Sequence, residues 1–492
     1  MKKITKVIAA ATALSAALGV CAYAAEDTIE DKVIAGYQAW FNTEGDGSPR
    51  NEWVHWGRPE VGHLTFDAYP DVRDYSVEDL KETYFAELGN GEKSKLFSSY
   101  RAGVIDKHFE MMHDYGIDGV AVQRFGSVTI NGVEERFKNS VDILKNVKAS
   151  AEKHNELFYV MYDISGLSEE NLVEDLKADW QQVILNDLDI TSSPSYAKDN
   201  GRPVVCLWGL GIREGTGEQY SELIDWFHDK GCYVIGGVSK SWRDQIAKDE
   251  AMEKAFCKLD MLSPWSVGSA KTDSDVDSDA SILAADKAYL DEKGIAYQPV
   301  MFPGFSWSNW KDNAVRNQIP RRAGDFMWRQ AYNIAKQDIH CGYIAMFDEY
   351  DEGTAILKLA EDSSMIPKDQ YFITASADGS YTSSDLYMRL AGYIPKVLRG
   401  EEEITEEMPL LLSEGPVYFR SGFEKYFDAQ PVDGNGELVK DELTYNGRYA
   451  LKLNRVGGGG EMLTKLSELD FSAEYRNKRI SGRRQRGIKR WT

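Results

Sequence analysis

Long apolar runs are what this chain of 492 residues has least of. After residue 24 no stretch stays apolar over the roughly 20 residues that a membrane-crossing helix needs, which excludes a helical membrane protein. Basic residues are scarce as well: 57 Lys and Arg against 79 Asp and Glu give a formal charge of −22. That balance argues against nucleic acid or an anionic membrane as partner, because both are polyanions, and leaves neutral polymers such as glycans open. Cysteine is nearly absent. Of the five, Cys206, Cys232, Cys257 and Cys341 are too widely spaced for a zinc pattern. Buried free thiols are the favoured reading for them, with a Cys232–Cys257 disulfide as the alternative. The seven histidines are scattered, so no metal site is expected and no cofactor is implied. No Gly-x-Ser-x-Gly elbow follows an apolar run, which excludes a serine hydrolase of that kind.

What is present begins with a leader. Lys2, Lys3 and Lys6 precede an apolar run over residues 7–20, and Ala22-Tyr23-Ala24 offers a small-x-small cleavage site. Val20 stands where lipid attachment at Cys21 would want a small residue, so simple cleavage near Ala24 and a periplasmic or extracellular location are expected. Eight short apolar runs follow, at 33–38, 119–123, 158–163, 203–208, 233–237, 259–263, 296–301 and 343–347. They are rich in Val, Ile, Tyr and Phe and lack polar alternation, as strands buried on both faces do. Each is followed by an amphipathic stretch: 104–115, 137–154, 168–188, 218–230, 244–257, 281–293, 321–337 and 384–398. Ser168 and Ser281 are the expected caps of two of these. Eight strand–helix repeats predict an α/β fold, a (β/α)8 TIM barrel over residues 25–400. No Gly-rich phosphate loop follows the first run, which disfavours a doubly wound sheet. An acidic linker over 401–416 leads to a short β-rich, sandwich-like segment over 417–475, with Asp433-Gly434, Asn435-Gly436 and Asn446-Gly447 as hairpin turns. Residues 476–492 carry eight Lys or Arg and no acid. They read as an artefactual end in preference to a basic tail, and no function is assigned to them.

Catalytic groups of such barrels stand at the carboxyl ends of strands. The eighth run leads directly into Asp348-Glu349-Tyr350-Asp351-Glu352, four carboxylates in five positions. Close packing and partial burial raise some of their pKa values, and glycosidic cleavage needs one carboxyl protonated beside one ionised. A solvated acidic turn is the bland alternative. A calcium loop lacks the expected spacing.

At this loop the sequence resembles the clan of glycoside hydrolase families 99 and 71. Family 99 carries Phe-Asn-Glu-Trp-His-Glu-Gly-Thr where this chain has Phe347-Asp348-Glu349-Tyr350-Asp351-Glu352-Gly353-Thr354. Gly36-Tyr37-Gln38-Ala39-Trp40-Phe41, Trp53-Val54-His55-Trp56, Tyr115-Gly116-Ile117-Asp118-Gly119, Pro303-Gly304-Phe305 and the segment 321–328 resemble further landmarks in the same order, over residues 33 to about 400. The resemblance implies that Glu349 assists attack by a substrate 2-hydroxyl and that Glu352 protonates the leaving oxygen and then activates water. That route requires a 2-hydroxyl trans to the leaving group, as in α-mannosides, β-xylosides and β-glucosides. An inverting glucanase like family 71 and a non-catalytic glycan-binding barrel are the alternatives. The family's Trp-His between the two Glu is Tyr350-Asp351 here, and its Trp-Trp-Gly after the second strand is Arg124-Phe125-Gly126. Those departures open the substrate class to pentosides, as in bacterial relatives described as xylosidases or arabinosidases.

Ten residues are expected to touch substrate beside the pair. Tyr37 at the end of the first strand could bond the sugar, or be core. Trp53, Trp56, Trp307 and Trp310 lie in loops where large apolar groups have little packing reason to be, and are expected as sugar platforms. His55 and Asp163 are expected to bond hydroxyls. Arg124 is expected to pair with an acidic loop residue. Tyr350 and Asp351 complete the set through their place in the loop.

Overall fold

The computed structural model describes residues 28–413, together with the strand segments Gln430–Pro431, Gly436–Lys440, Tyr449–Leu453 and Met462–Leu463. Eight parallel strand positions follow one another round a barrel: β1 (Val33–Tyr37), β2 (Val120–Phe125), β3 (Phe158–Asp163), β4 (Arg202–Leu210), β5 (Tyr233–Ser239), β6 (Met261–Trp265), β7 (Ala296–Tyr297 and Val300–Met301) and β8 (Gly342–Ile344). The first segment of β7 pairs with β6 and the second with β8, which in turn pairs with β1. The ring therefore closes through the bend at Gln298-Pro299. β1 and β3 are buried along their whole length, which explains why they read as unbroken apolar runs. Gly36 is required inside β1, because a Cβ there would meet Tyr343 Oη at 2.1 Å and Met346 Sδ at 2.3 Å.

A helix follows each strand: α1 (Ala102–Tyr115), α2 (Glu134–His154), α3 (Leu172–Asp179), α4 (Gly217–Asp229), α5 (Glu250–Phe256), α6 (Asp273–Lys293), α7 (Asp325–Ala335) and α8 (Leu386–Leu398). α3 continues as a wider π-helix over Trp180–Asp187. Neither expected serine cap is used. α3 starts four residues after Ser168, and Ser281 lies inside α6. The real cap of α6 is Thr272, whose hydroxyl accepts from Asp275 N while the Asp275 side chain accepts from Thr272 N. Thr216 and Gln219 do the same for α4. Such a cap contributes about 1 kcal/mol, enough to move a helix start when the first turns carry few apolar residues to mark it.

The long β1–α1 connection carries Trp53, His55 and Trp56 and contains the antiparallel pair Leu80–Glu82 with Lys95–Phe97. Residues 401–413 lie back on the barrel: Trp328 Nε1 donates to Thr405 O and Arg389 Nη1 to Leu411 O. Gly436–Lys440 pairs antiparallel with Tyr449–Leu453, while the expected turn residues Asp433, Gly434, Asn435, Asn446 and Gly447 lie outside the described residues. The leader and the basic tail lie outside the described residues. The four cysteines are free thiols and the alternative Cys232–Cys257 disulfide is not formed: Cys206, Cys232 and Cys341 are buried, and Cys257 is exposed.

Candidate active site

The chain leaves β8 and folds its acidic segment into a loop bonded to itself. Met346 N donates to Thr354 O, Ile356 N to Met346 O, Leu357 N to Phe347 O, and both Thr354 N and Ala355 N to Glu349 O. Gly353 makes the turn at φ +62°, with the backbone of Ser306 within 3.4 Å of where a Cβ would stand. Three neighbours hold the loop from outside. Asp67 N and Ala68 N donate to Tyr350 O, and Ser306 N donates to Glu352 O. Arg321, buried, donates from Nη2 to Gly353 O (2.8 Å) and Ala355 O (2.7 Å). Arg321→Leu is therefore expected to cost about 1–3 kcal/mol by leaving two buried carbonyls unpaired, and to lower activity by loosening the loop; chemical denaturation and turnover check both.

Within this frame the carboxyls have separate roles. Asp348 is fully buried and accepts from Gln38 N (2.7 Å) and Ala39 N (2.8 Å), pinning the end of β1 to the loop. Ala39 is held there at φ 48°, a left-handed conformation that costs about 1–3 kcal/mol in a residue with a side chain and is concentrated at functional sites. Glu349 is buried; its Oε1 accepts from Asp351 N (2.9 Å) and Glu352 N (3.3 Å), and its Oε2 accepts from Gln38 Nε2 (3.2 Å). Asp351 Oδ2 lies 2.6 Å from His55 Nδ1, and His55 stacks on Trp40 with ring centres 3.7 Å apart. Glu352 is half-buried beside Lys311 and Arg213.

Burial raises every one of these carboxyl pKa values, and their mutual repulsion adds to it at Glu349 and Asp351. Asp348 is pushed up to about 7 by burial, against the pull of the Gln38 and Ala39 N–H groups. Glu352 is pushed up to about 7 by burial, with Lys311 and Arg213 pulling it down. Burial lowers His55 to about 3, so imidazole and Asp351 both favour their neutral forms. The cluster thus keeps protons near neutral pH that isolated carboxyls would have lost. Glu352, with the most solvent access, can exchange one.

Asp163 ends β3 and accepts from Gln123 Nε2 (2.9 Å) and Ser165 N (2.8 Å). Trp208 near the end of β4 meets Trp265 at the end of β6 edge to face, ring centres 5.2 Å apart. Gln38 Oε1, Gln123 Oε1, Asp351 Oδ1 and the indole N–H groups of Trp40, Trp53 and Trp208 are buried without a partner. Buried polar atoms are normally paired, so this set on the strand ends and the first loop marks a place suited to a ligand rich in hydroxyls.

The structure brings Glu349, Glu352, Asp351 and His55 together and sets Asp163 on the same barrel end. Trp53 is half-buried, and Trp307 and Trp310 meet edge to face on the seventh loop, Trp310 being exposed. Four expectations are corrected. Tyr37 points outward to α1, its hydroxyl 2.9 Å from His108 Nδ1. Trp56 is fully buried and donates to Phe97 O. Tyr350 is fully buried, with its hydroxyl donating to Lys358 O. Arg124 pairs with Asp179 of α3 at 2.7 Å instead of with the acidic loop. Strand parity is the cause for Tyr37 and Arg124: neighbours alternate between barrel interior and helix layer, so the inward residues are Gln38 and Gln123. Those two, with Trp40 and Trp208, are the residues that sequence reasoning missed, and counting from inward-facing Gly36 would have found Gln38.

Neither a protein-family model nor a curated protein sequence matches the chain. Among solved structures, a glycoside hydrolase family 99 endo-α-mannosidase from Bacteroides thetaiotaomicron, in complex with bis-tris propane, superposes with a TM-score of 0.55 at 15% identity over 76% of this chain and 99% of its own. A further structure of the same enzyme gives 0.56 at 14% identity with the same coverage. At that identity the likeness establishes the fold alone, a (β/α)8 barrel.

Proposed function

We propose that the protein is a glycoside hydrolase that cuts glycosidic bonds with Glu352 as proton donor and acceptor and Glu349 as its buried partner. The observation that carries this reading is the locked loop at the end of β8. It sets two glutamates three positions apart, raises their pKa values, and stands beside unpartnered groups suited to sugar hydroxyls. The fold shared with an endo-α-mannosidase supports it. In the route that the family resemblance suggests, Glu349 draws the proton from a substrate 2-hydroxyl as that oxygen attacks the anomeric carbon. Glu352 gives its proton to the leaving oxygen, then takes one from water. The Gln38 amide and the two loop N–H groups hold Glu349 in the carboxylate form that takes up the 2-hydroxyl proton, and that proton returns to O2 when water opens the intermediate. α-Mannosides and β-xylosides meet the trans condition, and the missing Trp-Trp platform after β2 keeps pentosides in the class. The leader assigns the protein to the periplasm or the extracellular space.

The test is incubation of the purified protein with α-mannan, xylan and aryl glycosides, followed by product analysis. Shortened oligosaccharides support the proposal; binding without any cleavage defeats it. A pH profile adds a second check. The donor form of Glu352 is the protonated one, so kcat/KM is expected to fall as pH rises through about 7.

A further inference from the structure

Two cations whose charges reach Glu352 each lie over an indole. The Arg213 guanidinium is 5.5 Å from the Trp208 ring centre, and Lys311 Nζ is 4.1 Å from that of Trp310 and 5.8 Å from that of Trp307. Neither head group has an ion-pair partner among the described residues. Arg213 also lines an open groove between the β3 and β4 loops, together with Ser165, Gly166 and Glu214; Glu214 makes no bond to it. Asp163, next to that groove, is close enough to feel the Arg213 charge, as is Glu352.

An indole face holds a guanidinium or ammonium in place while leaving its N–H groups to a ligand. An arginine so placed offers a planar fork that matches a carboxylate with two parallel hydrogen bonds. Resting on the glycosidase reading, we propose that the substrate is a glycan bearing uronic acid residues, whose carboxylates Arg213 and Lys311 bind. The acidic balance of the whole chain does not oppose this. Charges more than about 8 Å away are largely screened at physiological ionic strength, so the groups lining the cleft decide. The cleft carboxyls themselves are shifted by burial toward neutrality.

The test uses oligosaccharides of glucuronoxylan and of an α-mannan carrying uronic acid branches, each beside its carboxyl-reduced counterpart, with binding measured by calorimetry on Glu352→Gln protein and turnover on wild type. At least one acidic form is expected to bind roughly tenfold tighter than its reduced form, as one charge-assisted hydrogen bond would give, and to lose that margin in high salt. In the Arg213→Gln/Lys311→Gln double variant the ratio is expected to fall to near one, chiefly through KM in the active protein. Equal binding of acidic and reduced forms, no binding of either, or an unchanged ratio in the double variant overturns the proposal. So does a double variant whose only change is an alkaline shift of the pH profile, since the cations would then serve merely to tune Glu352. Turnover of acidic and reduced glycans alike defeats this inference and leaves the hydrolase reading standing. Selective binding with no bond cut does the reverse.

Discussion

Replacing Glu352 by Gln is expected to lower kcat by about 10²–10⁴-fold on a natural glycan, the usual worth of a positioned acid–base group. The fold should hardly notice. Only the backbone of Glu352 is bonded among the described residues, through its N–H to Glu349 Oε1 and its C=O to Ser306 N. The amide also removes a charge that burial and Glu349 both disfavour. The loss should shrink on aryl glycosides with acidic leaving groups, which depart without a proton, and that contrast separates a lost acid from a distorted site. Glu349→Gln should behave differently. Its Oε2 accepts from Gln38 Nε2, where the amide of Gln would set donor against donor, and the base for the 2-hydroxyl is lost, so activity falls with both leaving-group types while the site also loosens. Steady-state kinetics on the two substrate classes, with thermal melting of each variant, make the comparison.

The largest expected loss of stability comes from a residue away from the chemistry. Arg124 is buried and donates to both oxygens of Asp179, from Nε and Nη2 at 2.7 Å each, with a third bond from Nη1 to Ser140 Oγ at 2.9 Å. Arg124→Met leaves Asp179 buried with only the Tyr162 hydroxyl and Ile130 N–H donating to it, and should cost about 3–5 kcal/mol. The double change Arg124→Met/Asp179→Leu should recover most of that, because it removes the stranded charge along with its partner. Denaturant unfolding of the two variants tests it. A sugar-binding Arg124 would instead leave stability untouched and raise KM.

The alternation of eight apolar runs with eight amphipathic stretches is enough to read the barrel, because parallel strands buried on both faces keep their few polar residues mostly to the ends. The acidic loop was legible for a related reason: four carboxylates at a strand end have no packing role. Its shape was not. The self-bonded turn depends on Arg321, Asp67 and Ser306, whose bonds to it span 32 to 283 residues of chain and leave no local signature. Helix starts failed at Ser168 and Ser281 because serine is as common inside polar helices as at their caps, whereas Thr272 and Thr216 are matched by a reciprocal partner three residues on. Tyr37 and Arg124 were misread because a strand end was treated as a place with no faces. A residue there belongs to the cleft or to the helix layer by parity, and both of these fall on the helix side.

In the proposed reaction Glu349 and Glu352 serve a substrate whose own 2-hydroxyl makes the first attack. NMR of the first anomer released by wild-type protein tests it most directly, with α-mannan, β-xylan and α-glucan side by side. The prediction is cleavage of α-mannan or β-xylan with the anomeric configuration kept, and none of α-glucan. Release of the opposite anomer, or cleavage of α-glucan, would contradict it.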